Sequence, residues 1–467
     1  VKTFAAFVKH HLKKYPEEAE AIGFAKGNIP GWRTLRSCNS REVEELVKYV
    51  AWKIRKTSEE YGVKLLGHEE FTGKKKPNRE EIRRICRLAG EEIFPIISIS
   101  SRYHNSKYSN SEMLNLLLHA ALTNDFAENS SRTLKENHPS WNIPDADTLL
   151  SSIKYSKRND SEKDERTEGE VKKIFRDAFD KTFFLAKKKS RKGFKKEVDL
   201  AIDFTDWKFY GRKDSPMVVG TKPERGTSFA YKFGSISIVE DGMRFVLMSL
   251  PVSDKSDRGE EMLKVTYSLV KFAVWQLKRA GMRIRILYGD RWFYNTHFVK
   301  FLKEMGIKFV IQATRTAGVE KVLESEKEKD IIVKEDYEVR DKNRKMSEKV
   351  NLFAVPSFHN EEEKVCFITN MEVDEKKAKT YAELFRKRWG IETMFRLESN
   401  DFRAKTTSKK PIVRLYYFLF SICVYNLWVI VNMILIIMLG VITEKPLVTA
   451  KRLIVLLQMS LMECGPP

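Results

Sequence analysis

The chain has 467 residues, enough for about three domains with real cores. Lysine and arginine number 85 against 64 acidic residues, and the net charge of +21 favours a polyanionic partner, nucleic acid before an anionic membrane. The five cysteines (Cys38, Cys86, Cys366, Cys423, Cys464) are far apart with no CxxC or Cys/His cluster, which argues against a zinc site or a disulfide framework and for a reducing, intracellular setting.

Residues 1–155 read as a basic helical module. Helices are predicted over 43–62, 79–93 and 112–126, the last opening after the capping residues Ser109, Asn110 and Ser111. A further helix starts at Pro144 or Asp145 and runs through Leu149, Leu150 and Ile153. Such a module suits a helix-turn-helix DNA reader, with a helical protein–protein module as the alternative. Residues 156–170 carry no aliphatic or aromatic side chain and read as a linker or exposed loop. The basic helix that follows, 171–189, is dense enough in cations to suit phosphate contact better than a core; linker and helix together take up 156–195.

From 196 the character changes. Strands are expected over 198–207, 228–239 and 243–252, the last two joined at Glu240, Asp241 and Gly242. A helix over 259–280, a strand over 282–290, a short helix near 294–305 and a strand over 307–314 follow. A meander of three strands and then strand–helix alternation is the order of a mixed α/β sheet. Residues 315–375 read as a β-rich insertion, after which 376–467 resumes the same domain.

That last part opens on a predicted helix, 381–405. At about 100° per residue, Leu384, Ile391, Phe395 and Phe402 form one apolar stripe, with Phe385, Arg388, Glu392 and Ser399 beside it. Glu392 is thus a carboxylate at the edge of a buried seam. Gly390, inside the helix, costs about 1 kcal/mol relative to Ala. Two further acids close strands: Asp203, on the strand face that also carries Asp199 and Ala201, and Asp290. Ligands of open α/β sheets gather at the carboxyl ends of strands. The spacings, 87 residues from Asp203 to Asp290 and 102 from there to Glu392, bring no histidine or cysteine with them. Mg²⁺ and Mn²⁺ prefer hard oxygen ligands and keep several waters, so two or three carboxylates suffice. Two such ions can activate an attacking oxygen and stabilise the leaving oxygen of a phosphodiester. Acids within a basic nucleic-acid surface make sense when a cation reverses their local charge. Asp206 is the second choice for the first acid.

Three local patterns resemble the DDE transposases of prokaryotic insertion sequences, over about 198–430. IDFTDW is similar to the family's Asp-x-Thr, and points to Asp203 with Thr205; GDRWFYN is similar to its Asp-Arg-x-Phe, and points to Asp290 with Arg291 and Phe293. FRKRWGIETMF resembles the Tyr-Arg-Glu-Lys motif, matching at Arg388 and Glu392, with Phe385 where Tyr is usual and Ser399 where Lys is usual. The resemblance implies an RNase H-like fold, a mixed sheet flanked by helices with the β-rich insertion between the second and third acids. It implies Asp203, Asp290 and Glu392 as catalytic ligands of Mg²⁺ or Mn²⁺, and DNA contacts by Arg388 and Arg291, with Arg403 or Lys405 standing in for the missing lysine. It also implies binding of double-stranded element ends, cleavage, strand transfer to target DNA, a homodimeric synaptic complex, and a cytoplasmic, nucleoid-associated prokaryotic location. A nuclease that cuts without joining and a decayed DNA-binding protein are the alternatives. Trp292, beside Asp290, is a base-stacking or a packing residue.

Residues 415–442 run for 28 positions without a charge. The length permits a membrane span, and a basic membrane-associated protein built on it is a further alternative. As a helix it would measure about 42 Å, more than a bilayer core needs, and a buried helix behind the Glu392 helix is the expectation, with no membrane partner.

Overall fold

A computed structural model describes, apart from short breaks, residues 91–464, together with a few positions from Glu80 on. The predicted helix 43–62 lies outside the described residues, and 79–93 is described only in part. Almost everything described falls in one compact unit, Arg79–Leu435 with Thr443–Pro467. The expected domain boundary at 155 therefore does not hold: the segment from 79 onward belongs to the unit that carries the sheet.

Helix α1 (Asn110–Leu122) starts where the capping residues direct it. The Ser109 hydroxyl accepts the Glu112 N–H at 3.1 Å, and the Glu112 carboxylate accepts the Ser109 N–H at 2.6 Å. Helix α2 (Ala127–Asn137) and helix α3 (Ala146–Lys154, entered from Asp145) follow. Between α1 and α2, Asn124 adopts a left-handed φ of 49° and donates its amide to the carbonyls of Ser399 (3.3 Å) and Arg403 (3.0 Å). That side chain ties the N-terminal helices to the segment bearing Glu392.

The expected linker is partly structured. Strands β1 (Tyr155–Arg158) and β2 (Lys163–Glu165) form an antiparallel hairpin. The basic helix is corrected as well. Helix α4 (Glu168–Lys189) buries Val171, Phe175, Ala178, Phe179, Phe183 and Ala186 at helical spacing, so one face is core and the lysines take the other.

The main sheet has nine strands among the described residues. They are β3 (Glu197–Lys208), β4 (Val218–Glu224), β5 (Thr227–Glu240), β6 (Met243–Pro251), β7 (Arg283–Gly289), β8 (Phe309–Gln312), β9 (Ile332–Arg340), β10 (Ser347–Pro356) and β11 (Lys364–Thr369). Antiparallel pairing joins β3, β5 and β6, while β7 and β8 run parallel to β3. Helix α5 (Arg258–Arg279) links β6 to β7, and helix α6 (Thr296–Glu304) links β7 to β8. This is the expected mixed α/β sheet flanked by helices. Strand β4 had no distinct signal in the sequence. The insertion opens on helix α7 (Ala317–Ser325), and its three strands prolong the sheet in the order β8-β11-β10-β9, so it is no separate domain.

The apolar run becomes helix α10 (Pro411–Leu439), which is long and apolar enough to cross a membrane yet has 72% of its most apolar window buried within the protein. Its two asparagines explain how it packs. Asn426 lies against the outer edge of β6, where it accepts the Val246 N–H (3.0 Å) and donates to the Val246 carbonyl (2.8 Å). A side-chain amide thereby closes a strand edge. Asn432 does the same for the backbone of Val448 just before helix α11 (Ala450–Cys464). Phe418 stacks on Phe233 of β5 at 3.8 Å between centroids, fixing the helix to the sheet.

Candidate active site

Parallel pairing of β3 with β7 ends at Ile202 opposite Gly289. The next residue on each strand is an aspartate, so Asp203 and Asp290 are neighbours across two adjacent parallel strands. Asp203 is not at the end of its own strand, as expected from the sequence, because β3 continues to Lys208 paired with β5. Only its pairing with β7 stops there. Asp290 turns the chain into a 3₁₀ turn, Arg291–Phe293, by accepting the Trp292 N–H at 2.9 Å. Gly289 is needed at this point: a Cβ there would lie 3.0 Å from the Phe293 side chain. Asp206, the second choice, is engaged elsewhere by Lys232 and the Thr221 hydroxyl.

The predicted helix 381–405 is helical from Glu375 to Phe402 but changes its pitch along the way. Helix α8 (Glu375–Phe385) gives way to a 3₁₀ turn, Arg386–Arg388, then helix α9 (Trp389–Leu397) and a π-helical turn, Glu398–Phe402. Ile391, Phe395 and Phe402 of the expected stripe are buried. The 3₁₀ turn carries Lys387 and Arg388 to strand β3 just before α9 begins. Arg388, 9% exposed, donates to Asp203 Oδ2 (3.1 Å) and forms an ion pair with Glu392 Oε1 (2.6 Å). Glu392, one turn later, keeps 53% of its side chain in solvent. Gly390 packs closely on β6: a Cβ would lie 2.8 Å from Arg244 Nε and 3.0 Å from its Cδ, so the arginine side chain would have to move.

The electrostatics join all three acids. Burial, followed by the Asp290 carboxylate, pushes the Asp203 carboxyl up to about 7; Arg388 and the Phe204 N–H oppose this, and Glu392 adds to it. A buried carboxyl raised in this way by its neighbours is short of positive charge. Among the described residues, no three His, Cys, Asp or Glu side chains are grouped closely enough to hold one metal ion. Instead the Arg388 guanidinium bridges two of the acids. The donor set is all carboxylate oxygen, which fits a hard divalent cation such as Mg²⁺ or Mn²⁺, and a cation beside these acids would lower the Asp203 carboxyl again.

The residues expected to meet DNA divide. Arg291 and Lys405 are exposed. Arg403 is buried: its Nε donates to Glu398 Oε1 at 2.6 Å, and the guanidinium lies over the Trp207 ring at 4.7 Å. It is a core ion pair and not a surface replacement for the missing lysine. Arg388 is likewise turned inward, toward the acids. Ser399, where the family pattern has Lys, returns its hydroxyl to the Arg396 carbonyl at 3.1 Å. Phe385 packs edge-on against Phe367 (4.9 Å between centroids) and Tyr288 (6.2 Å). Trp292 meets the rings of Phe204 and Phe293 edge-on at 5.1 and 5.0 Å, a packing role.

Sequence reasoning missed a buried charge cluster four residues before Asp203 on β3. Asp199, fully buried, accepts from Arg285 Nε at 2.7 Å and from the Tyr288 hydroxyl at 3.2 Å, and Glu240 Oε1 accepts the Asp199 N–H at 3.0 Å. The strand alternation that put Asp199 on the face of Asp203 was the available signal.

Two neighbouring strand acids with a third carboxylate docked beside them by an arginine define a carboxylate-based site on an α/β sheet. Residues 195–427 match the model of the transposase DDE domain, and the chain belongs to that family, which implies an enzyme of the polynucleotidyl-transferase type. Among solved structures it is similar to a cryo-EM structure of the piggyBac transposase synaptic complex with hairpin DNA, at 14% identity and a TM-score of 0.48, over 83% of this chain and 78% of that one. It is also similar to a crystal structure of a pre-cleavage Mos1 transpososome, at 12% identity and a TM-score of 0.16, over 50% of this chain and 78% of that one. No curated protein matches it in sequence.

Proposed function

We propose that the protein is a DNA transposase that binds the inverted-repeat ends of its element, cuts the strands there and joins them to target DNA, using Asp203, Asp290 and Glu392. The observation that carries this reading is the register of β3 against β7, which makes Asp203 and Asp290 neighbours, with Glu392 linked to Asp203 through Arg388. These three side chains would hold Mg²⁺ or Mn²⁺, which when bound supplies Lewis-acid activation of the attacking oxygen and charge neutralisation at the leaving one. The chain's own contribution is to keep Asp203 and Asp290 at fixed spacing on the sheet, with Glu392 beside them on α9. Arg388 screens Asp203 from Glu392. Arg291 and Lys405, both exposed, are the residues we assign to phosphate contact. A homodimeric synaptic complex and a cytoplasmic location with the chromosomal DNA belong to the same proposal.

The test incubates the full chain with linear DNA carrying the element's ends, target DNA and Mg²⁺ or Mn²⁺. Joined products are expected for the wild type, and none for Asp203→Ala, Asp290→Ala or Glu392→Ala, while Asp206→Ala keeps joining. Nicks without joining would replace the reading by a nuclease, and wild-type joining in any of the first three variants would overturn the site.

A further inference from the structure

The turn Arg386–Arg388 carries three cations in a row, and they do different things. Arg386 is exposed, and Arg388 bridges Asp203 and Glu392. Lys387, with 17% of its side chain exposed, reaches the buried cluster instead: its Nζ is 3.5 Å from Asp199 Oδ2 and 4.0 Å from Glu240 Oε2. Asp199 stands four residues before Asp203 on the same face of β3, about 13 Å along the strand.

The buried acids do not need Lys387 for neutralisation. Asp199 keeps Arg285 and the Tyr288 hydroxyl, and Glu240 keeps Lys195 at 2.9 Å and the Asp199 N–H. Lys387 differs from Arg285 and Lys195 in where it is carried, on the turn that leads into α9. Apolar packing of Ile391, Met394 and Phe395 holds the body of α9, and without Lys387 the turn leading into it would keep one polar tie to β3, the Arg388–Asp203 pair. Lys387 adds a second tie on the same strand, four residues away.

We infer that Lys387 is a positioning residue: docked on the Asp199–Glu240 pair, it fixes the turn 386–388, and with it the Glu392 carboxylate, relative to Asp203 and Asp290. The effect on the cation rests on the proposed role of those three acids, whereas the effect on the turn does not.

The experiment uses the full-length protein with Lys387→Met, which keeps the aliphatic stem, Lys387→Arg as the rescue, and Lys195→Met as a control that takes a cation from Glu240 without touching the turn. Amide hydrogen exchange over 386–397 and Mn²⁺ affinity are measured on each. Lys387→Met should speed exchange over 386–397 and weaken Mn²⁺ binding by about 10–100-fold, as loss of a supporting contact does at metal sites. Lys387→Arg should restore both, and Lys195→Met should change neither. Wild-type exchange over 386–397 in Lys387→Met would overturn the inference, as would equal effects from Lys195→Met. Failure of Lys387→Met to fold would also overturn it, because the role would then be structural. Equal Mn²⁺ binding by the wild type and Asp203→Ala would instead refute the metal reading, and the exchange data would decide the positioning role alone.

Discussion

At Asp203, burial and two neighbouring carboxylates outweigh one guanidinium, and the carboxyl sits at about 7 against 3.8 for an ordinary aspartate. The folded protein therefore binds more protons than the unfolded chain between about pH 4 and pH 7. The stability contribution is fully present below the lower value and lost as pH rises through the upper one. In EDTA the melting temperature of the wild type should fall across this window relative to that of Asp203→Asn, which has no proton to lose. Mn²⁺ should raise the wild-type melting temperature at pH 8 more than at pH 5, because the ligand must be deprotonated. A wild-type curve parallel to that of Asp203→Asn would contradict the geometry. Arg403 is a second residue whose role follows from burial. Arg403→Ala leaves the Glu398 carboxylate buried without its partner and should cost about 3–5 kcal/mol by denaturant unfolding. A loss of DNA affinity without a loss of stability would restore it to the DNA surface. The sequence ranked Asp203 before Asp206 but said nothing of its burial, and there Arg403 looks as basic as Lys405. Register against β7 sets Asp203 beside Asp290, and the Glu398 pair sets Arg403 apart from Lys405.

Among the elements, the segment 381–405 was only half legible. Its stripe named Ile391, Phe395 and Phe402 correctly because apolar spacing survives a change of pitch in the helix. The 3₁₀ turn within it was not visible: residues 385–389 contain no proline or glycine, and helix propensity there is ordinary. The ion pairs from Lys387 and Arg388 to strand β3 go with the 3₁₀ turn, and such long-range partners leave no local mark. Gly390 looked like a weak point in a helix and is a contact point with Arg244. Gly390→Ala gains about 1 kcal/mol of helix propensity but forces the Arg244 stem aside and shifts α9. Joining activity should fall in Gly390→Ala and recover in Gly390→Ala with Arg244→Ala. Failure of the second change to rescue would show that the glycine serves something other than this packing.

Across the whole molecule, the net charge of +21 predicts DNA affinity that falls on the order of 10³-fold between 50 and 200 mM salt, measured by titration of duplex DNA. A flat dependence would remove the phosphate backbone from the interaction. The order of elements determined the α/β class and the central meander, since periodicity and turn residues are local properties. The three acids proposed for the site could be picked out in the sequence because motif spacing and a helix edge are also local, although Asp203 lies within β3 and not at its end. What tertiary structure alone decided was which groups meet. The insertion joins the sheet through β11 on β8, the basic helix α4 spends one face on the core, and the uncharged run packs its two asparagines against backbone. Each outcome depends on a partner far away in the chain, and no pattern within a single element specifies that partner.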